Sequence, residues 1–559
     1  KECSTVLSFF PILHWLPRYN WKRDLNGDII GGLTVGIMQV PQGMAYANLA
    51  SLPPVYGMYT SFFTSTFYAF FGTSRHISIG VFAVASLMVG AVRLLINGSN
   101  MEVVKPVVGP VNFGYEVSPV TLTSALAMAV GLFQVIMAMM GLAFLTTYMS
   151  DALISGFTTG SAFHVFTAQL NKIIGVKLPR YSGFSMLFFM MRDLMLALPQ
   201  TNYWTLCISI LSIIFLFVGH GYVNPWFKKR SSVPLPIELI LVILVTIFSV
   251  YMDLKSNYGV KVVDYIPQGI PTPSLPNFDL IPYLLNDAFA IAIISYMFVV
   301  SMAKLFAKKR RYKIDPTQDL YAVGLMHTLS SFFPIFPAGG SLSRSAVCEQ
   351  SGANTQLNIL FSNTLLLTVI VFIGPFLEPL PMCVLACIVI VSLRSLFMQF
   401  GELSKLWRIS KFDFAVWLVS CIATVSFDVM TGLMISVLFT LISVVLREQR
   451  FAVLFRSDDQ PLIYYRAALN FITVSSFLSK MSEVLRSDSR EDCELQSIKN
   501  VTVIIIDCGA ISNIDTMGVE AIKEVYNTNL FQFKICYFTI KDVSYVFLIK
   551  KLKIEKNKR

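Results

Sequence analysis

The chain has 559 residues, of which 55% are hydrophobic and 14% are charged, and its formal net charge is +11. Soluble domains carry about 25% charged residues, so this composition excludes a disordered chain, a collagen and an ordinary soluble enzyme. Membrane proteins collect lysine and arginine in their cytosolic loops, which explains the positive sign without a nucleic-acid partner.

Charged residues are concentrated at the C-terminal end of the chain. The last 109 residues, beginning at Phe451, hold 28 of the 77 charged side chains, and the first 450 residues hold the other 49. This contrast predicts a transmembrane domain over residues 1–447 and a cytosolic domain over residues 448–559.

Long uncharged runs locate the membrane helices. Residues 29–74 include no charged side chain over 46 positions, and residues 117–150 and 194–227 include none over 34 positions each. A transmembrane helix needs ~20 apolar residues, so each run fits a helical hairpin or one span with its flanks. Together with the shorter runs, they predict 12 to 14 spans.

Basic clusters give the orientation of the spans, because loops rich in lysine and arginine stay in the cytosol. Their positions place both termini in the cytosol and make the number of spans even. The loop containing the sequon Asn97-Gly98-Ser99 then lies outside, where Asn97 is a predicted glycosylation site. The clustered basic residues are Arg18, Lys22, Arg23, Lys228, Lys229, Arg230, Lys308, Lys309, Arg310, Arg311, Lys313, Lys405, Arg408 and Lys411.

Two apolar stretches, residues 72–84 and 332–345, are interrupted by glycine, proline or hydroxyl residues. Non-helical backbone at membrane depth is tolerated only where it is buried in protein or lines a cavity. Interrupted spans at matching positions in two halves of a chain are typical of a transporter binding site. Gly80 and Gly340, one in each stretch, are 260 residues apart, about half of the predicted membrane domain.

Each interruption is expected to begin a half-helix, whose free N–H groups and partial positive charge favour an anion. Arg344 adds a full positive charge, although an arginine at membrane depth costs ~2.5–3.5 kcal/mol on insertion scales. Two interpretations of Arg344 stay open at this point. It either supplies the field for a bound anion or pairs with a carboxylate such as Glu349 for structure.

Enzyme and metal signatures are absent from the sequence. It contains no P-loop, no His-Glu-x-x-His and no Rossmann fingerprint, so neither an enzyme, a cofactor nor a metal site is predicted. Cys383 and Cys387, one turn apart in an apolar run, indicate packing, and the scattered histidines indicate structural roles. Close helix packing, inside the domain or at a dimer face, is indicated by the pairs Gly32 with Gly36 and Gly156 with Gly160.

Five segments carry a specific family resemblance. Residues 39–47, Gln-Val-Pro-Gln-Gly-Met-Ala-Tyr-Ala, and residues 53–59 resemble the first-helix signature of a known family and the motif that follows it. Residues 72–80 and 341–349 match the beginnings of its third and tenth helices, and residues 234–239 match a further motif. The family is the sulfate permeases, multifunctional anion exchangers, and the resemblance covers nearly the whole chain and is nearest to the animal branch.

The resemblance implies an α-helical polytopic membrane protein with fourteen transmembrane helices in two inverted repeats of seven. It also implies a core domain that moves against a gate domain, and a homodimer, which we expect in the plasma membrane. The family's anion sits between helices three and ten. Carried over to this chain, the anion-binding residues are Gln42, Tyr46, Phe82, Ala83, Leu342, Ser343, Arg344 and Ser345.

Two positions depart from the family's pattern. Val81 stands where many members have a proline before the helix-three aromatic residue. Lys304 lies in the stretch where some proton-coupled members carry a glutamate near the inner end of helix eight. Because a lysine does not take up a proton for coupling in the same way, anion exchange is favoured over proton symport.

The C-terminal domain resembles the STAS domain, an α/β unit found at the end of this family's members. Residues 501–507 are typical of a buried strand, and a helix is predicted from Gly518. The domain is expected to be shortened relative to the family. Thr516 lies where bacterial relatives have a phosphorylatable residue, and both a plain helix cap and a regulatory site fit it.

The expected function is secondary active exchange of sulfate, chloride, bicarbonate or oxalate by an elevator-like alternating-access mechanism. The expected partners are these anions, the lipid bilayer and a second copy of the chain. Three alternatives stay open: an uncoupled chloride channel, an anion-dependent membrane motor on the same site, and a nucleobase carrier on the related fold. A nucleobase carrier would be expected to place an acidic residue where this chain has Ser343 and Arg344.

Overall fold

The computed structural model describes residues 10–97, 117–144, 150–176, 178, 181, 184–228, 235–451, 454–456, 462–465, 474, 477–479, 503–507, 521 and 535–539. Fourteen helices that follow the predicted spans are numbered in chain order. They are α1 Trp21–Leu49, α2 Val55–Phe71, α3 Ala83–Asn97, α4 Pro119–Met139, α5 Asp151–Ile174, α6 Tyr203–Val218, α7 Ile237–Met252, α8 Ile281–Arg310, α9 Pro316–Ser330, α10 Leu342–Gln350, α11 Leu357–Thr368, α12 Met382–Ser392, α13 Lys411–Ser426 and α14 Val429–Phe451.

Shorter helices connect some of these elements. The unnumbered α-helices are Pro11–Trp15, Met186–Ala197, Asn224–Lys228, Leu254–Tyr258, Arg394–Phe397 and Leu403–Ile409. Two short strands interrupt the helical part, β1 Ile79–Gly80 and β2 Gly339–Gly340.

Polar caps begin several of the helices. The Ser118 hydroxyl accepts the N–H of Thr121 at the start of α4, and Pro119 takes the first helical position, where its missing N–H costs nothing. Asp315 likewise accepts two backbone N–H groups at the start of α9. These caps satisfy backbone donors that would otherwise be left without a partner at the helix ends.

Six helical segments among the described residues are long and apolar enough to cross a membrane. Other helices are more polar because their polar residues face protein: α1, for example, buries Asp28, Gln39 and Gln42. The six segments are Pro119–Met139, Tyr203–Phe227, Phe278–Arg310, Leu357–Leu377, Met382–Arg408 and Val429–Leu446, and α7 and the Ala83–Arg93 part of α3 are shorter apolar helices.

The helices pack as two bundles. One bundle combines α1–α4 with α8–α11, and its closest pairs are α4 with α9 and α1 with α11. The other combines α5–α7 with α12 and α13, and Gly432 brings α14 against Thr424 of α13. This division corresponds to the core and gate domains that the resemblance implies.

The glycine pairs pack within these bundles. A Cβ atom added to Gly36 would lie 3.0 Å from the Ser362 carbonyl oxygen of α11, and one added to Gly160 would lie 2.9 Å from the Cys421 carbonyl oxygen of α13. A Cβ atom added to Gly32 or Gly156 would lie even closer to a carbonyl oxygen on the same two helix pairs. The interpretation as packing inside the domain is confirmed.

Contacts divide the chain into two compact units, Lys1–Val437 and Leu438–Arg559. The second unit contains a sheet of order β3-β4-β5-β6, in which β3 and β4 are antiparallel and the other neighbours are parallel. Its strands are β3 Leu454–Arg456, β4 Leu462–Tyr465, β5 Val503–Asp507 and β6 Ile535–Thr539. β5 confirms the predicted strand. Thr516 falls outside the described residues, as does the helix predicted from Gly518 except for Ala521, which is helical.

Candidate functional site

The two interrupted segments pair with each other. β1 and β2 are antiparallel, with Ile79 opposite Gly340 and Gly80 opposite Gly339. The pairing continues where the Ser341 N–H donates to the Ser78 carbonyl at 3.1 Å. Because α3 begins three residues after β1 and α10 two residues after β2, both helices start from this ribbon.

Arg344 lies in the first turn of α10 and its side chain is fully buried. Its guanidinium donates to the Ser78 hydroxyl at 3.1 Å, the Gln42 amide oxygen at 3.1 Å and the Val81 carbonyl at 2.9 Å. Among the residues that the structure describes, Arg344 forms no ion pair. Its hydrogen bonds therefore fix its position without neutralising its charge.

The carboxylate considered for Arg344 is paired elsewhere. Glu349, at the other end of α10, lies 2.6 Å from the Lys309 Nζ and 2.6 Å from the Arg310 Nε at the end of α8. The Arg310 Nη2 also donates to the Glu349 carbonyl at 2.7 Å. The interpretation that Glu349 pairs with Arg344 is wrong. Arg344 lies near the start of α10, whereas Glu349 lies near its end and pairs with Lys309 and Arg310.

Unused backbone donors add to the charge of Arg344. The first intrahelical bonds are donated by Ser86 in α3 and by Ser345 in α10, so the N–H groups of residues 83–85 and 342–344 have no acceptor within their helices. Ser341, the N-cap of α10, makes no side-chain capping bond. Both helix N-termini thus present partial positive charge where α3 and α10 leave the ribbon.

The structure brings most of the predicted site residues to this ribbon. Gln42 accepts from Arg344, and the Ser345 hydroxyl accepts the Ser78 N–H at 2.9 Å. Phe82 and Ala83, where α3 begins, are buried. Leu342 and Ser343, at the start of α10, are less buried than Arg344 and Ser345.

Tyr46 is placed differently from the other predicted site residues. Its hydroxyl lies 3.3 Å from the Ser392 hydroxyl of α12. Two residues along α1, Asn48 donates to the Met382 sulfur of α12 at 3.2 Å. The predicted site therefore extends to the boundary between the two bundles at Tyr46.

Two glycines allow the close approaches within the ribbon. Gly80 has φ +152°, and an added Cβ would lie 2.7 Å from the Gln39 Nε2 and 3.2 Å from an Arg344 nitrogen. A Cβ added to Gly339 would lie 2.5 Å from the Phe82 ring. The glycines predicted to break the helices thus also make room for the arginine and the aromatic ring.

Polar side chains that the sequence analysis did not assign to the site hold the second interruption. Each satisfies a buried backbone group that no helix partner satisfies. The bonds run from the Phe336 N–H to the Thr60 hydroxyl at 3.2 Å, from the Ser124 hydroxyl to the Phe333 carbonyl at 3.1 Å and from the Ala338 N–H to the His327 Nε2 at 3.0 Å.

Amide side chains hold the first interruption in the same way. The usable sequence signal for these amide residues and for His327 is a glutamine, asparagine or histidine within an apolar run, because a buried polar side chain requires a partner. The bonds run from Gln39 to the Ile79 carbonyl at 3.1 Å, from Gln356 to the Gly72 and Ser74 carbonyls at 2.8 Å each and from Asn358 to the Arg75 carbonyl at 3.1 Å.

The remaining candidate residues are structural or lie away from the ribbon. Cys383 and Cys387 are buried, and the Cys387 thiol donates to the Ser209 carbonyl at 3.5 Å. Within the described part of the chain, no group of three or more His, Cys, Asp or Glu residues is placed to hold a metal ion. Lys304 is exposed. Asn97 is the last residue of α3, and the rest of its sequon falls outside the described residues.

Two family models match this chain and identify its family. Residues 25–420 match the sulfate permease family, and residues 453–530 match the STAS domain. The chain belongs to the sulfate permease family. Both parts of the predicted family resemblance are confirmed, and since sulfate permeases are transporters, the prediction that the chain is not an enzyme is confirmed too.

Two curated relatives extend the match along most of the chain. Sulfate permease family protein 3 of Caenorhabditis elegans is 34% identical over an alignment 617 positions long, which covers 94% of this chain and 79% of the relative's own length. The sulfate transporter of Equus caballus is 32% identical over an alignment 590 positions long, which covers 94% of this chain and 80% of the relative's own length. These sulfate permeases are similar in both the membrane part and the C-terminal part.

A solved structure confirms the fold class. Murine solute carrier 26 family member A9, an anion transporter in the inward-facing state, superposes with a TM-score of 0.86 at 27% sequence identity, covering 98% of this chain and 90% of that one. The chain is therefore a helical membrane transporter of the sulfate permease type with a C-terminal STAS domain.

Proposed function

We propose that this chain is a secondary active anion exchanger whose substrate binds between the N-termini of α3 and α10. The observation that carries the proposal is Arg344, which is fully buried and hydrogen-bonded only to neutral groups among the described residues. Burying an arginine in a membrane costs ~2.5–3.5 kcal/mol on insertion scales. A bound anion would offset that cost, because no neighbouring carboxylate does.

The proposed substrates are sulfate, chloride, bicarbonate and oxalate. All four are small anions that a positive field, hydroxyl groups and backbone N–H groups would hold. Sulfate is the first to test, since a relative that is 32% identical is named a sulfate transporter. The proposed anion-binding residues remain Gln42, Tyr46, Phe82, Ala83, Leu342, Ser343, Arg344 and Ser345.

The proposed mechanism is elevator-like alternating access, in which the bundle of α1–α4 and α8–α11 moves against the other. Support comes from the position of the ribbon: both interruptions belong to the first bundle, so it would carry the anion as one body. The contact of Tyr46 with Ser392 at 3.3 Å is long for a hydrogen bond between hydroxyls. Such a contact would break at little cost during the movement.

Further features of topology, assembly and regulation belong to the same proposal. The functional boundary between the transmembrane and cytosolic domains lies at residues 447/448. Both termini face the cytosol, and Asn97 is glycosylated outside. The protein acts as a homodimer in the plasma membrane, with Thr516 a site of regulation or a helix cap.

The test is uptake of labelled sulfate into proteoliposomes that contain the purified protein, with and without internal chloride. Exchange predicts uptake that requires an internal anion and is absent from protein-free vesicles. Chloride current without any anion on the opposite side, together with no sulfate uptake, would instead establish an uncoupled chloride channel. Uptake of sulfate that does not depend on internal anion would contradict exchange.

A further inference from the structure

His327 is a fully buried histidine of α9 that lies beside the second interruption. Its Nδ1 is 2.8 Å from the Gln134 amide oxygen of α4 and 3.0 Å from the Val323 carbonyl. Its Nε2 is 3.0 Å from the backbone nitrogen of Ala338. Ala338 directly precedes β2, so the imidazole connects α4 and α9 with the ribbon.

The partners of the ring determine its tautomer. Nδ1 faces two acceptors, the Gln134 amide oxygen and the Val323 carbonyl, so the proton of a neutral ring lies on Nδ1 and Nε2 accepts the Ala338 N–H. The Gln134 amide is oriented to match: its Nε2 donates to the Ala292 carbonyl at 2.9 Å and the Ser295 hydroxyl at 2.7 Å, which turns its oxygen towards the ring. A chain of donors therefore runs from Ala338 through His327 to Gln134 and α8.

Protonation of His327 on Nε2 would remove this arrangement. The Ala338 carbonyl is also 3.0 Å from Nε2, so a protonated ring would donate to that carbonyl and leave the Ala338 N–H without its acceptor. Only the neutral ring with Nδ1–H serves both Gln134 and the Ala338 N–H.

The backbone at Ala338 is linked to the candidate anion site through Gly339 and Phe82. Gly339, the next residue, pairs with Gly80 and lies so close to the Phe82 ring that an added Cβ would be 2.5 Å from it. Phe82 in turn contacts Phe298 of α8, with ring centroids 5.2 Å apart. A shift of the Ala338 backbone would therefore move the residue from which α3 begins.

We propose that His327 is a positioning residue for the anion site, which fixes the second interruption, and through it Phe82, by accepting the Ala338 N–H. This inference rests on the proposed function, because it assigns His327 a role in anion affinity. A histidine that only filled space in the core would instead contribute to the yield of folded protein and leave affinity unchanged.

The test compares two substitutions whose amide groups reach the positions of different ring nitrogens. In His327→Gln the longer amide places an oxygen near the position of Nε2, whereas the shorter side chain of His327→Asn reaches only the position of Nδ1. The measurement is chloride-driven uptake of labelled sulfate over a range of sulfate concentrations, normalised to folded protein. We expect His327→Asn to raise KM about tenfold, the equivalent of ~1.4 kcal/mol, and His327→Gln to restore most of the affinity.

A matched control is His164→Asn. His164 is also buried, and its Nε2 lies 2.6 Å from the Thr424 carbonyl in the other bundle. This substitution is expected to lower the yield of folded protein without changing KM. If both His327 variants fail to fold, Gln134→Leu removes the closer of the two acceptors that face Nδ1, and we expect it to raise KM as well.

The outcomes separate this inference from the proposed function. Equal KM values for wild type, His327→Asn and His327→Gln, or equal increases in both variants, would overturn the positioning role while wild-type uptake stands. An unchanged KM in Gln134→Leu, where only that variant folds, would overturn it too. Absence of anion-dependent uptake by the wild type would overturn the proposed function and this inference with it.

Discussion

The first interruption, residues 72–82, and the second, residues 331–341, end alike at helix N-termini but are supported differently. Amide groups of α11 and its lead-in hold the first, and hydroxyl groups of α2 and α4 together with His327 of α9 hold the second. Each interruption is thus held largely by side chains from the opposite half of the membrane domain. Neither half forms the ribbon alone.

The buried charge beside the ribbon comes from the second half of the membrane domain. Arg344 belongs to the second half, yet all three of its hydrogen bonds reach the first, at Gln42, Ser78 and Val81. The first half supplies acceptors and the Phe82 ring, and the second supplies the cation. Substitutions in the two interruptions should therefore have unequal effects, and the following experiments measure that inequality.

The largest effect is expected from Arg344→Ala. It removes a buried charge that makes three hydrogen bonds, and hydrogen bonds to charged groups contribute ~1.5–3 kcal/mol each. We expect chloride-driven sulfate uptake to fall by about 100-fold or more on this basis. Arg344→Lys, which keeps the charge but not the planar fork, should be intermediate.

Arg394→Ala is the matched control for charge. Arg394 is exposed and lies over the Phe217 ring at 5.9 Å, away from the ribbon. Uptake by this variant should stay near the wild-type rate. An Arg344→Ala protein that elutes as folded material and transports like the control would show that Arg344 has no role in transport.

The next largest effect is expected from Gly80→Ala, compared with Gly340→Ala on the opposite strand. Gly80 has a positive φ, and its Cβ would meet Gln39 and Arg344. A Cβ on Gly340 would come closer than 3.4 Å only to the flexible end of Met302, at 2.5 Å. Backbone strain at such positions costs ~1–3 kcal/mol. Uptake should therefore fall about tenfold more in Gly80→Ala than in Gly340→Ala, and the reverse order would contradict the comparison.

A smaller effect, on stability alone, is expected from Glu349→Gln. Glu349 is buried, but Lys309 and Arg310 are 56% and 39% exposed, so solvent screens the pairs and their loss should cost about 1 kcal/mol. The melting temperature of the detergent-solubilised protein should fall by a few degrees, with KM for sulfate unchanged. Asp264→Asn, which removes the exposed pair with Lys255, should change neither, and a raised KM in Glu349→Gln would place the glutamate in the anion site.

The smallest effect is expected from Tyr46→Phe, which removes only the 3.3 Å contact with Ser392. A hydrogen bond of this kind contributes ~0.5–1.5 kcal/mol, so the maximal uptake rate should change by less than about tenfold. The measurement is the same concentration series in proteoliposomes. A loss as large as that of Arg344→Ala would contradict this order of effects.

Much of the fold was predictable from the sequence because membrane burial leaves a strong pattern. Uncharged runs gave the spans, and glycine and proline within residues 72–84 and 332–345 gave the interruptions. The helix that begins at Leu342 was predicted from the same signal. The pairing of β1 with β2 was not, because a two-residue strand has no periodicity to detect.

The candidate site was predicted only in part. Arg344 stood out because charge is rare at membrane depth. Its partners could not be identified from the sequence, because Glu349 is near in sequence, whereas Ser78 and Gln42 are near only in space. His327 and Gln134 were visible as polar residues in apolar runs. Their contact joins positions 193 residues apart, which periodicity within one segment does not reveal.

The most direct test is equilibrium binding of labelled sulfate to the purified protein in detergent, with Arg344→Ala measured beside the wild type. It requires no transport and therefore isolates the site between the two interruptions. We expect saturable binding that unlabelled chloride displaces, and loss of that binding in folded Arg344→Ala. Equal sulfate affinity in both proteins would contradict the claim that Arg344 and the two helix N-termini form the anion site.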